Sequence, residues 1–366
     1  MAVKKNGISP DLLIHPGETI YDLLEDRGIT QKELAQRAGV SEAFLSDVIN
    51  GKKDISKGLA MGLEYATGVP VSFWLNLQAN YDAELLNIQE KDTVEEEEKT
   101  VLESIREIVG FLEKTSAVNK DSEPEEKIIQ LRKYFQISNL KGLRTLAPAG
   151  AFRISEHVSI NPDVLGAWLC LCKVQRSERQ LAAEFERERV NELISKIKLI
   201  MLDDKSDIEK SLTELLAQYG IDFSIVHNFR GAPVQGYISR NPAGIYRMVL
   251  TLRGSFADIF WFSLFHELGH IVNGDVAKTG NYVDLQNPDD KRKEKAADEF
   301  ARNALLEQES YDRFVAKGEY SYNSIKKFAQ TQNVPGYIVI GRLQKDEIIP
   351  WEKFSKYKPR YKWAES

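Results

Sequence analysis

The sequence predicts an α+β chain, predominantly helical, with a small antiparallel or mixed sheet in its C-terminal half. Three observations carry this. Residues 1 to about 80 show short helical periods broken by glycines at 28, 39, 51 and 68. Three runs, DFSIVHNF, VQGYISR and GIYRMVLTL, lie within residues 222–252 and are rich in β-branched and aromatic residues. Directly after them comes SFADIFWFSLFHELGHIVNGD, residues 255–275, which apart from two histidines and a glutamate is almost wholly apolar and so reads as a buried helix.

At 366 residues the chain is long enough for two or three domains. Its texture predicts a helix-turn-helix domain over 1–85, a charged helical linker over 86–145, a mixed domain over 146–345 and a C-terminal arm over 346–366. Hydrophobic residues make up 42% and charged residues 28%, as in soluble globular proteins. The net charge of -6 excludes a polycation, so any nucleic-acid contact is local. No apolar stretch reaches membrane-spanning length, and the start of the chain lacks a signal-peptide core; a cytoplasmic location without membrane contact is expected. The two cysteines, Cys170 and Cys172, sit two apart in an apolar run and read as buried thiols.

TQKELAQRAGVSEAFLSDVINGKK, residues 30–53, has helix-turn-helix spacing. Thr30 caps the first helix, with Glu33 placed to close a capping box. Leu34 and Ala35 face inward, Gly39 makes the turn, Val40 fills the angle, and Ser41 caps the second helix. Leu45, Val48 and Ile49 hold that helix down. Its N-terminal end would enter the major groove, so Ser41, Glu42, Ala43 and Ser46 lie nearest base edges. Gln31, Lys32, Arg37, Lys52, Lys53 and Lys57 are candidates for phosphate contacts, which position without specifying. Residues 1–80 nevertheless hold eight basic and ten acidic side chains, so a monomer should bind duplex DNA weakly and a homodimer is expected. The stretch from HPGETIYDLLEDRG through VINGKKDIS, followed by FWLNLQANYD, resembles the HigA-type antitoxins of the XRE repressor superfamily over about residues 11–85. That resemblance implies five helices, binding of double-stranded operator DNA as a dimer, and neutralisation of a RelE-like ribonuclease toxin.

His266 and His270 are four apart in the apolar helix, so both imidazoles share one face and can bind one zinc ion. Glu267 follows the first histidine, where a general base polarises water in HExxH sites. Ser255 is the expected N-cap of this helix and Gly274 its stop. Downstream, KRKEKAADEFARNALL forms a second helix whose alanines permit close approach. In it Glu294 completes a two-His, one-Glu ligand set, and Asp298 on the same face can orient a ligand histidine. FWFSLFHELGHIVNGD with EKAADEFARNALL resembles the ImmA/IrrE family of zinc metallopeptidases over about residues 150–345. The resemblance implies cleavage of a repressor protein that holds a phage, mobile-element or stress operon silent. It departs from the family pattern at Ala296, where an acidic residue is usual, leaving Glu294 alone to supply the carboxylate. An extended substrate would add to an exposed strand edge, for which 245–252 is the expected strand.

Near the end, IKKFAQTQNVPGYIVIGRLQ repeats the helix-turn-helix spacing, with Ala329, Val334, Val339 and Leu343 in the places of Ala35, Val40, Leu45 and Ile49. It reads as two packed helices rather than a second DNA reader. The whole predicts a toxin–antitoxin or mobile-element regulator carrying a zinc-dependent peptidase that cleaves a repressor or partner protein. The alternative is an antitoxin and repressor with a non-hydrolytic zincin-like module that senses or binds.

Overall fold

The structure, a computed structural model, describes residues 13–147, 160–174, 181, 184–203, 205, 207–276, 281–283 and 291–363. The chain divides into two compact units: residues 13–99 with 123–129, and residues 100–122 with 130–363.

The first unit opens with five helices: α1 (Pro16–Arg27), α2 (Gln31–Arg37), α3 (Glu42–Ile49), α4 (Lys57–Thr67) and α5 (Val71–Gln89). Their core is Ile20, Leu34, Leu45, Val48, Leu59, Leu63 and Trp74, all fully buried. Thr30 caps α2 by accepting from the Glu33 N–H at 3.2 Å. The Glu33 carboxylate takes Arg37 at 2.5 Å instead of closing a capping box, because a charged partner one turn on outcompetes a backbone N–H. Ser41 caps α3, accepting from the Phe44 N–H at 3.1 Å.

Four helices follow, their residues divided between the two units rather than forming the separate linker expected over 86–145: α6 (Glu96–Ser104), α7 (Arg106–Lys114), α8 (Pro124–Phe135) and the short α9 (Leu143–Leu146). The rest of the second unit runs α10 (Pro162–Val174), α11 (Val190–Leu202), α12 (Ile208–Ala217), β1 (Ile221–Ile225), β2 (Gly236–Arg240), β3 (Tyr246–Leu250), α13 (Ala257–Asn273), β4 (Asn281–Val283), α14 (Lys291–Leu305), α15 (Gln308–Ala316), α16 (Tyr322–Thr331) and α17 (Gly336–Lys345). Among the described residues no helix is long and apolar enough to cross a membrane.

The fold is predominantly helical with a small mixed sheet of order β1-β3-β2-β4. β2 and β3 form the antiparallel hairpin expected around Asn241–Gly244, with Gly236 opposite Leu250. β1 joins β3 in parallel, its Asp222 opposite Arg247 and paired with it at 2.6 Å. This corrects the expected edge strand. Residues 246–250 are central, bonded on both sides and buried throughout, and the sheet edges are β1 and β4. The parallel crossover from β1 over the hairpin strand β2 sets this order, and strand composition does not encode it.

α13 is the spine of this unit. Its cap also differs from expectation. Ser255 sits at φ 59°, and Phe256 occupies the cap position without a side-chain bond. The first helical N–H, from Ala257, donates instead to the Pro359 carbonyl at 2.9 Å, and Tyr361 N–H returns to the Ser255 carbonyl at 2.7 Å. The C-terminal arm thus closes the helix start from far along the chain. A buried ion pair between Lys358 and Asp258, 2.6 Å, and a bond from Lys358 to Gln344, 2.9 Å, fasten the arm. Burial pushes the Asp258 carboxyl up, against the pull of Lys358.

In the C-terminal echo, Ala329, Val334, Val339 and Leu343 are all buried in the core of this unit. Both cysteines are buried and unbonded to each other. Burial pushes the Cys170 thiol up to about 11 and the Cys172 thiol further.

Candidate metal centre

The site is built from the C-terminal half of α13 and the N-terminal half of α14. α13 is buried without a break from Ser263 to Ile271 because its surface is apolar almost all round, and it carries His266, Glu267 and His270 inward with it. Their exposures are 6%, 0% and 0%. α14 reaches α13 because the facing residues are small. A Cβ placed on Gly269 would stand 3.0 Å from the Ala297 Cα and 3.2 Å from its carbonyl oxygen. Glu294 lies one turn before Ala297 and its neighbour Asp298, so this contact delivers both acids to the histidines.

The resulting geometry is a triangle. His266 Nε2 and His270 Nε2 are 3.1 Å apart, Glu294 Oε2 is 3.3 Å from the first, and Glu294 Oε1 is 3.6 Å from the second. A tetrahedral zinc ion with bonds of about 2.0–2.2 Å spaces its ligand atoms about 3.4 Å apart. The triangle therefore has the size of one face of that tetrahedron, with the fourth corner left for water or substrate.

The far side of each imidazole is also fixed. His266 Nδ1 meets Asp298 Oδ1 at 2.9 Å, and His270 Nδ1 meets Asp275 Oδ2 at 2.8 Å. A carboxylate there accepts a hydrogen bond from Nδ1–H and turns the Nε2 lone pair inward. Two imidazole lone pairs and a carboxylate then converge, an arrangement a divalent cation relieves. Burial holds the His270 imidazole below its ordinary value, with Asp275 pulling the other way, which favours the neutral, metal-binding form. Burial alone would raise Asp298, but its bond to His266, helped by Arg302 and Lys345, keeps the carboxyl below the usual range.

Asp275 carries no signal in the HExxH pattern. Its signal is the helix stop. Gly274 takes φ 74°, its N–H bonds the Ile271 carbonyl at 3.1 Å, and the Asp275 N–H bonds the His270 carbonyl at 3.0 Å. This is a Schellman turn, which folds the second residue past the helix back over the last turn. The contact made there is usually apolar; here it is a carboxylate on a histidine.

Gly236 is a second residue that the motif does not reveal. It begins β2 and lies against Glu267, so that a Cβ there would fall 1.7 Å from Glu267 Oε1 and 2.6 Å from its Cγ. The strand backbone and the helix share that space only because position 236 has no side chain.

An open cleft of about 860 Å³ adjoins the triangle, with His266, Glu294 and Asp298 in its wall. The expected DNA contacts belong to the first unit. Ser41, Glu42 and Ala43 are exposed at the start of α3, with Ser46 half-buried. Gln31 donates to the Glu42 carbonyl at 3.3 Å, and Asn50 donates to the Ser46 hydroxyl at 3.2 Å. Lys32, Lys52 and Lys57 are exposed. Arg37 is engaged by Glu33 and Lys53 by Asp47 at 2.9 Å, and the Lys53 bond holds the Asp47 carboxyl below its ordinary value.

Comparison with known proteins matches two separate stretches of the chain. A helix-turn-helix family profile fits residues 20–74, and the Peptidase U49 profile fits residues 249–323, which contain the whole triangle. Virulence-associated protein A′ of Dichelobacter nodosus is 42% identical over 81 residues, which is 22% of this chain and 70% of that protein. Virulence-associated protein A of the same organism is 34% identical over 88 residues, 24% of this chain and 81% of that protein. A solved structure described as an addiction module antidote protein of a HigA family, from Coxiella burnetii, is 29% identical, covering 22% of this chain and 89% of its own, with a TM-score of 0.21. The chain belongs to the XRE-type helix-turn-helix family of the virulence-associated proteins A and A′, and its residues 249–323 match the Peptidase U49 profile.

Proposed function

We propose that the chain is a transcriptional regulator of toxin–antitoxin or mobile-element type whose second unit is a zinc-dependent endopeptidase that cleaves a repressor or partner protein. The observation that carries the reading is the triangle of His266 Nε2, His270 Nε2 and a Glu294 carboxylate oxygen, sized for one face of a zinc tetrahedron. The first unit is assigned to duplex DNA, as a homodimer, through the exposed start of α3.

When bound, zinc supplies Lewis acidity toward water and the scissile carbonyl. The chain's own residues do the rest. His266 and His270 hold fixed tautomers because Asp298 and Asp275 occupy their Nδ1 sides. Glu267, fully buried beside the first histidine, takes a proton from water and returns it to the leaving amine nitrogen. Gly236 sets where this carboxylate lies.

Glu267→Gln keeps the shape of the side chain and removes the base. Cells expressing wild type should accumulate new protein N-termini that are absent from cells expressing equal amounts of the variant. Loss of a general base lowers turnover by about 10²–10⁴-fold, so the difference should be all-or-none in a proteome-wide N-terminal survey. Identical N-terminal sets from the two would replace this reading with that of a binding or sensing module.

A further inference from the structure

The cleft beside the triangle has a direction. α13 forms one wall, from His266 at the triangle back to Asp258 at the helix start, and α14 forms the other, from Glu294 onward to Arg302. About eight residues of helix on each wall make the trough about 12 Å long, the span of roughly three or four residues of extended polypeptide. Gly341, Lys345 and Arg342 of α17, the last paired with Asp346, add to the lining, with Gln235 and Trp351.

The lining combines apolar and cationic side chains. Ile259 and Phe262 are only half-buried although they belong to the most apolar helix of the chain, and Trp351 is 54% exposed. Leu305, Leu306 and Ile338 add buried apolar surface to the same cleft. Its acids are committed: Glu294 faces both histidines, Asp298 holds His266, Asp258 holds Lys358, and Glu299 faces Lys295. Arg302, one turn beyond Asp298 on α14, and Lys345 of α17 share the cleft with Asp298, whose charge already serves an imidazole. A divalent ion at the triangle adds further positive charge to the same space.

We infer that this trough is the specificity site of the proposed peptidase, and that it takes an extended polypeptide with a large apolar side chain and an acidic residue beside it, close to the scissile bond. The inference rests on the peptidase reading but concerns recognition, and binding tests it without hydrolysis. Ile259, Phe262 and Trp351 cover the apolar side chain, while Arg302 and Lys345 meet the carboxylate. Partial enclosure by protein raises the worth of such a pair above that of an open surface pair.

The test uses the full chain carrying Glu267→Gln, loaded with zinc, and three fluorescein-labelled decapeptides followed by polarisation. One has a central Leu followed by Asp-Glu, one has the same Leu followed by Lys-Arg, and one has Ala in place of Leu before Asp-Glu. The first should bind about tenfold more tightly than either of the others. Lys345→Glu, a change at an exposed position, should reduce or invert the preference for acid over base, and Arg302→Glu should act in the same direction. Equal binding of the acidic and basic peptides, no binding by any, or a preference that both charge reversals leave intact overturns the inference. Those outcomes leave the peptidase reading standing if the N-terminal survey separates wild type from Glu267→Gln. An acidic preference without that separation makes the trough a binding site on a non-hydrolytic domain, and so overturns its role in substrate choice.

Discussion

Gly236→Ala should slow proteolysis about 10²-fold while leaving zinc in place. The added Cβ would occupy the space of the Glu267 carboxylate, 1.7 Å from Oε1, and Glu267 is fully buried with Gly236 itself held in the ladder opposite Leu250. Either the carboxylate swings away or the strand shifts, and a displacement of about 1 Å at a reacting group costs about 10²-fold in rate. The effect should appear in kcat, since no ligand atom of the triangle is touched. Alanine suits a strand better than glycine, so backbone propensity alone favours the variant. The distinguishing control is the double variant. On a Glu267→Ala background, where no carboxylate remains to displace, Gly236→Ala should have no further effect on rate. A Gly236→Ala enzyme with near-normal kcat would remove the positioning role.

His270→Ala should lose zinc and, with it, the stabilisation that zinc provides. The histidine is completely buried, donates one corner of the triangle, and partners Asp275, whose side chain is only 10% exposed. Its removal leaves a cavity and strips that carboxylate of its partner, which costs about 1–3 kcal/mol even without metal. For wild type, zinc in hundredfold excess over its dissociation constant adds about 2.7 kcal/mol to the folded state. Added zinc should therefore raise the unfolding temperature of the wild-type second unit and leave that of His270→Ala where it was. Equal zinc-induced shifts in the two proteins would place the metal elsewhere.

The parts of the fold and site that were legible in the sequence are those encoded by short-range pattern. The helix-turn-helix unit follows from the caps at Thr30 and Ser41 and the inward Leu34, Ala35 and Leu45. The burial of α13 follows from its all-round apolar surface, and the spacing of His266 to His270 and of Glu294 to Asp298 follows from helical periodicity. The structure brings these four side chains together. What the pattern does not encode is long-range. The first N–H of α13 is taken by Pro359, and the cap position falls on Phe256 rather than Ser255. β3 is central because β1 crosses over to it, so a strand that looks like an edge by sequence position is buried on both sides. Asp275 depends on a turn that folds back over its helix, and Gly236 on which strand happens to face Glu267. Each of these is a packing relation between elements whose local sequences are silent about one another.

The central claim is that His266, His270 and Glu294 hold one zinc ion. Its most direct measurement is metal analysis of the purified full chain alongside His266→Ala, both exposed to limiting zinc and then freed of loose metal. The account predicts one zinc per wild-type chain and none retained by the variant. Substoichiometric zinc in the wild type, or equal content in the two proteins, would contradict it.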